Sequence, residues 1–188
     1  MRQQITSSHK KGFTLIELVS VIVILGIISI FILPRFAVIQ DDAELAQIEY
    51  IASSFKLGVD TVKTLFNAKN YPTRIQNLPG YGNDNIDTNN IGYPIGTTKG
   101  NGNENIGRGN AGCSDLWLGL MDNPPSVSFS NDNADFRSYR HTANRLCSYV
   151  YRKNGDIGNQ NTGQIMIRYD SRNGIVRVCG SRADIPAC

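Results

Sequence analysis

The sequence predicts an α+β fold: one long N-terminal helix laid on a C-terminal antiparallel β-sheet. Three observations predict it. Leu18 to Pro34 is a run of seventeen residues without a charge. Behind it, Ile48, Ile51, Phe55, Val59, Val62 and Phe66 recur at helical spacing. The last third of the chain then alternates apolar and polar residues in short Val-, Ile- and Tyr-rich runs, the period of strands.

The apolar run comes first. Extended back to Phe13, it reaches the ~20 residues that cross a bilayer as a helix. A soluble helix of that length carries a polar stripe, and here only Thr14, Ser20, Gly26 and Ser29 interrupt the apolar side chains. Residues 1–12 contain Arg2, Lys10 and Lys11 and no acid. A basic arm before an apolar block marks the cytoplasmic side. No A-x-A site of the secretory type follows the block, where the sequence is Ile32-Leu33-Pro34-Arg35-Phe36-Ala37, so the apolar segment is expected to stay.

Glu17 breaks the pattern. A carboxylate near the centre of a membrane helix costs roughly 2.5–3.5 kcal/mol, and less toward its end. No Lys or Arg lies between Gly12 and Arg35 to offset it. Cleavage after Gly12 would create an ammonium on Phe13, four residues away. Glu17 of one subunit would then meet the amino terminus of a neighbour.

Gly12-Phe13-Thr14-Leu15-Ile16-Glu17 resembles the processing site of type IV prepilins and of the related type II secretion pseudopilins. The resemblance covers about 25 residues. It implies cleavage after Gly12 by a membrane prepilin peptidase, methylation of Phe13, and a part for Glu17 in assembly. Pro34-Arg35-Phe36 with Gln40-Asp41-Asp42-Ala43 is similar to pilins of the mannose-sensitive haemagglutinin (MSHA) type. The implied protein is a structural subunit, major or minor, of a type IV pilus that serves adhesion. It would sit in the inner membrane of a Gram-negative cell as a single-pass protein with a cytoplasmic N-terminus, then pass into an extracellular fibre. Its implied partners are other pilin subunits, the prepilin peptidase, the inner-membrane assembly platform and, before assembly, membrane lipid. A type II secretion pseudopilin is an alternative with the same assembly physics.

The domains read as a cleaved leader (1–12), a membrane and assembly helix (13–36), the amphipathic half of the same helix (37–70), a Gly/Asn-rich region with a short helix (71–125) and the sheet (126–188). One continuous helix from Phe13 to Asn67 would be roughly 80 Å long. Pro34 removes a backbone hydrogen bond and clashes with the carbonyl of Ile30, so a kink or local unwinding is expected there. In pilins the equivalent stretch can melt on assembly, which makes Pro34 a second assembly residue.

Pro72 ends the helix. From Pro79 to Gly112, Gly and Asn dominate. The expectation is a long surface loop that buries almost nothing and forms a variable exposed face. Asn83 to Asn89 and Asp132 to Asp135 place oxygens at alternate positions, faintly like calcium loops, but the glycine and distal glutamate of such loops are missing. Cys113 to Met121 reads as a short helix capped by Ser114 and stopped by Asn123-Pro124-Pro125; this run too is similar to MSHA-type pilins. Trp117, the only tryptophan, is expected to anchor the core. Strands are expected over Ser126–Ser130, Leu146–Lys153, Gln164–Asp170 and Ile175–Cys179. Ile165, Ile167 and Tyr169 should share a face, and Val176 and Val178 likewise. Ser171-Arg172-Asn173-Gly174 should form the turn of the final hairpin, with Asn173-Gly174 supplying its positive dihedrals.

Cys113, Cys147, Cys179 and Cys188 all follow the membrane segment, where oxidation is allowed, so two disulfides are expected. The residues leave three pairings open. The resemblance to pilins favours Cys179–Cys188 as a C-terminal disulfide loop, taken with Cys113–Cys147. Metal spacing is absent, and no metal or cofactor is expected.

Charge excludes a generally basic, nucleic-acid-like protein. The chain has 19 basic and 16 acidic residues, and the leader takes three of the basic ones. The asymmetry lies in Arg137–Cys188, with nine basic and three acidic side chains. Arg137, Arg140, Arg145, Arg152, Lys153, Arg168, Arg172, Arg177 and Arg182 offer the alternative of a minor pilin that binds DNA. The plainer expectation puts them on solvent faces of strands, paired with Asp156, Asp170 and Asp184. No catalytic set can be assembled: after processing His141 is the sole histidine, expected to be solvated, and disulfide-bonded cysteines are not nucleophiles.

Overall fold

The structure, a computed structural model, describes residues 12–100, 102–131 and 133–188, without the side chains of 33–38. Arg2, Lys10, Lys11, Asp132 and the side chain of Pro34 therefore lie outside the described residues. The chain forms two compact units, Met1–Leu45 and Ala46–Cys188, which part within the first helix.

That helix, α1, spans Leu15–Ala68 and is assigned without a break through position 34, so the proline is carried inside the helix rather than unwinding it. In the first unit, Leu15–Ile32 is long and apolar enough to cross a membrane, with a mean hydropathy of 2.9. None of it is buried within the chain, as a helix that relies on lipid or other subunits requires.

In the second unit, the stripe of Ile48, Ile51, Phe55, Val59, Val62 and Phe66 is buried. Phe55 is fully enclosed, with its ring centroid 5.6 Å from that of Trp117 and 5.5 Å from those of Tyr149 and Tyr169. Helix, Trp117 and sheet thus meet at one aromatic cluster. The exposed side of α1 is mixed, with Lys56 and Asp60 paired one turn apart and Tyr50 and Leu57 also open to solvent. Gly58 lets α1 come close to the next layer: a Cβ there would lie 2.4 Å from the Leu120 carbonyl oxygen.

The Gly/Asn region departs from expectation. It holds β1 (Ile86–Thr88) and β2 (Pro94–Thr97), an antiparallel pair in its own small sheet, and it buries Leu78, Ile86, Ile95 and Ile106. Its polar residues do the bracing. Asp87 is buried and accepts the amides of Asn77 at 2.8 Å and Lys99 at 2.5 Å. Asn89 accepts the amides of Ile91 and Tyr93 and donates to the Ser171 carbonyl at 2.6 Å. Buried polar groups are stable when every bond is made, which is how this composition forms ordered structure.

The second helix, α2, covers Gly112–Leu120. Its N-cap is Ala111 and makes no side-chain capping bond, so the capping role expected of Ser114 is not found. Ser114 is buried and bonds Ser138 Oγ at 2.7 Å. Trp117 is fully buried and donates from Nε1 to the Pro125 carbonyl at 3.0 Å.

The large sheet has five strands in chain order: β3 (Val127–Ser128), β4 (Phe136–Arg140), β5 (Leu146–Tyr151), β6 (Met166–Asp170) and β7 (Ile175–Cys179). Strand β4 was not expected, and it adds a two-residue parallel pairing with β3 to an otherwise antiparallel sheet. Ile165, Ile167 and Tyr169 do share the core side, with Val176 and Val178 against the same cluster. The β6–β7 turn is a four-residue loop, since Asp170 pairs with Ile175. Ser171 to Gly174 thus form the turn read from the sequence, but only Gly174 has a positive φ, at 71°, so Asn173 does not supply the second positive dihedral expected of it. The outer face carries a second cluster of Val150, Met166 and Cys179 with Tyr139.

Candidate assembly site and displayed domain

Thr14, Leu15, Ile16 and Glu17 have the spacing of a capping box, in which Ser/Thr and Glu three residues apart satisfy free amides at a helix start. The structure forms one. The Glu17 amide donates to Thr14 Oγ1, and the Thr14 amide donates to Glu17 Oε2, each at 3.3 Å. The Thr14 hydroxyl donates to the same carboxylate oxygen at 3.3 Å. The carboxylate lies in the first turn of α1, where the helix dipole favours a negative charge. Thr14 is the residue that sequence reasoning missed at this site, although the T-x-x-E spacing carries the signal. Gly12 and Phe13 precede the helix, and Phe13 is exposed.

The second unit is stapled twice. Cys113–Cys147 ties α2 to β5, and Cys179–Cys188 ties the tail to the end of β7. Tyr149 adds a bond beside the first staple, donating to the Cys113 carbonyl at 2.8 Å.

The basic side chains of the last third are engaged by the fold, though not always as expected. Arg172 pairs with Asp170 and Arg182 with Asp184. Arg152 is buried and donates to the Asp156 carbonyl rather than its carboxylate, and also to Tyr139 Oη. The Asp156 carboxylate accepts the amides of Gly158 and Gln164 instead. Arg145 reaches Glu104 at 2.9 Å, and Lys153 reaches Asp135 at 3.2 Å. Arg140 donates to the Ile106 carbonyl, while Arg168 and Arg177 converge on the Cys188 carbonyl oxygen.

His141 is half-buried, not solvated, with Nε2 at 2.9 Å from Ser148 Oγ. Burial, with the neighbouring Arg168 charge, holds its pKa below the ordinary imidazole range. Ser148 is fully buried and also accepts from Arg168 Nε, so this contact offers no exposed nucleophile. Among the described residues, no group of three or more His, Cys, Asp or Glu side chains is placed to hold a metal. The candidate calcium oxygens of Asp87 and Asp135 are taken up by amides, hydroxyls and a lysine.

Residues 7–33 match the family model of the prokaryotic N-terminal methylation motif. With the apolar helix behind it, this motif supports a type IV pilin-like or pseudopilin-like subunit with a prepilin-type signal peptide. The motif implies processing by prepilin peptidase and assembly with other pilins. A membrane anchor before assembly into a surface fibre fits it. Proteins of this kind are typically structural rather than enzymatic. The α+β arrangement, a long N-terminal helix with a mostly antiparallel sheet, is pilin-like. No curated protein and no solved structure matches the chain.

Proposed function

We propose that the chain is a major or minor subunit of a type IV, MSHA-like pilus used for adhesion. The prepilin peptidase cuts after Gly12, Phe13 is methylated, and Glu17 receives the new ammonium of a neighbouring subunit. The observation that carries this reading is the match over residues 7–33, joined to an apolar helix none of which is buried among the described residues. Pro34 is the candidate soft point of that helix during assembly. The engagement of the C-terminal arginines with carbonyls and carboxylates supports a displayed domain over a phosphate-binding face. Mass spectrometry of the chain from its native membrane tests the proposal. The expected species begins at Phe13, carries one N-methyl group and lacks four hydrogens for two disulfides. An N-terminus at any other residue overturns it.

A further inference from the structure

The two disulfides of the second unit sit in different surroundings. Cys113 and Cys147 are both fully buried in the main core cluster, joining α2 to the central strand β5. Cys179 is also fully buried, at the end of β7 in the outer cluster with Val150 and Met166. Its partner Cys188 is exposed. Residues 180–188 wrap the end of β7: Ile185 packs against the main core cluster, while Cys188 is bonded to the outer one. The amides of Ser181 and Arg182 donate to the Gly163 and Gln164 carbonyls at 3.0 and 3.2 Å. Farther on, the Gly180 amide donates to the Pro186 carbonyl and the Ile185 amide to the Arg182 carbonyl, both within the loop that the disulfide closes. The far end is tied to the sheet by the disulfide and by the Cys188 carbonyl oxygen, which accepts from Arg168 Nη1 at 3.2 Å and Arg177 Nη2 at 2.9 Å. Arg168 and Arg177 lie directly opposite each other on β6 and β7, where like charges repel. The disulfide thus holds a shared acceptor against both guanidinium groups.

We propose that Cys179–Cys188 is a redox latch, opened by a small thiol of the glutathione class while Cys113–Cys147 stays closed. Thiol–disulfide exchange requires access to a sulfur, and of the four cysteines Cys188 is the exposed one. The incoming thiolate bonds to Cys188 Sγ as the S–S bond breaks, and Cys179 leaves as a thiolate that takes a proton. A second thiolate then attacks the mixed disulfide. Cys188 is released as a thiol, and the two reductant thiols end as one disulfide. Opening frees residues 183–188 from the sheet, withdraws the carbonyl from Arg168 and Arg177, and lifts Ile185 from the core. The second unit therefore has a closed, oxidised state and an open, reduced one, with α2 and β5 joined in both.

The test equilibrates the full chain in detergent across a series of reduced and oxidised glutathione mixtures. After an acid quench and unfolding, free thiols are alkylated with N-ethylmaleimide and mapped by mass spectrometry. Cys179 and Cys188 should label together at a [GSH]²/[GSSG] ratio at least tenfold lower than Cys113 and Cys147. Equal midpoints, or earlier labelling of Cys113 and Cys147, overturn the assignment. Hydrogen exchange of the selectively reduced chain should show protection lost at the Gly180 and Ile185 amides and unchanged in β5. Protection of 180–188 that survives reduction overturns the latch, because the segment is then held without the bond. The Cys179→Ser/Cys188→Ser variant should reproduce the exchange pattern of the reduced chain, and one that keeps the oxidised pattern overturns the latch as well.

Discussion

The Glu17 carboxylate accepts both the amide and the hydroxyl of Thr14, each at 3.3 Å, so the acid proposed to act in assembly also starts its own helix. The two roles separate by mutation. Glu17→Gln keeps an acceptor for the cap and loses the charge. Thr14→Val removes the hydroxyl cap, worth about 1 kcal/mol, and keeps the charge. Incorporation into filaments, scored by immunoelectron microscopy, should fall at least tenfold for Glu17→Gln and stay near the unaltered level for Thr14→Val. Equal losses would make the cap, not the charge, the assembly determinant.

Phe55 holds α1, α2 and the sheet together through three ring contacts. Phe55→Ala should destabilise the displayed unit by about 3–5 kcal/mol, the usual cost of removing a large buried ring. Trp117 is the sole tryptophan and lies beside Phe55, so its fluorescence reports the shift in denaturant midpoint directly. A change below about 1 kcal/mol would mean that the cluster repacks.

The two disulfides should differ in worth. Cys113 and Cys147 are 34 residues apart, Cys179 and Cys188 only 9. Loop-closure entropy then gives roughly 4 kcal/mol for the first and roughly 3 for the second. The first also joins two buried elements of the core. The Cys113→Ala/Cys147→Ala pair should lower the thermal midpoint more than Cys179→Ala/Cys188→Ala, measured by calorimetry on the full chain. The reverse order would show that the tail, rather than α2, limits stability.

Lys99 gives the chain a pH signature. Its amine is lowered to about 8, chiefly by burial, with Asp87 opposing and Arg74 and Arg145 reinforcing. The folded state therefore disfavours the charged form relative to the unfolded chain, where the pKa is near 10.4. Below pH 8 the full cost of burying the charge is present. Stability should rise as pH increases from about 8 toward 10. Tyr149 and Tyr169, held neutral by burial, reverse the trend once tyrosines of the unfolded chain ionise. Lys99→Met should abolish the rise between pH 8 and 9.5 in urea titrations. A rise that persists in the variant assigns it to another group.

The elements legible in advance were those fixed by periodicity. The apolar run, the stripe from Ile48 to Phe66 and the core-side residues Ile165, Ile167 and Tyr169 each repeat an apolar residue at one spacing. Strand β4 was not legible, because Phe136-Arg137-Ser138-Tyr139-Arg140 turns only Phe136 and Ser138 toward the core, and Ser138 is acceptable there only through its bond to Ser114. The Gly/Asn region misled for the same reason. Its order depends on Asp87 and Asn89, whose side chains look like surface polar groups until their amide partners are known.

What the chain of residues determined alone was its beginning: a basic arm, a methylation motif, an apolar helix and one acid. These follow from composition and spacing within a single stretch, where the physics of lipid and of a helix start is local. Only the tertiary structure decided which polar side chains brace the second unit, which cysteines pair, and that Glu17 serves Thr14. Hydrogen-bond partners are set by where the backbone returns in space, and the free energy of a buried polar group changes sign with whether that partner arrives.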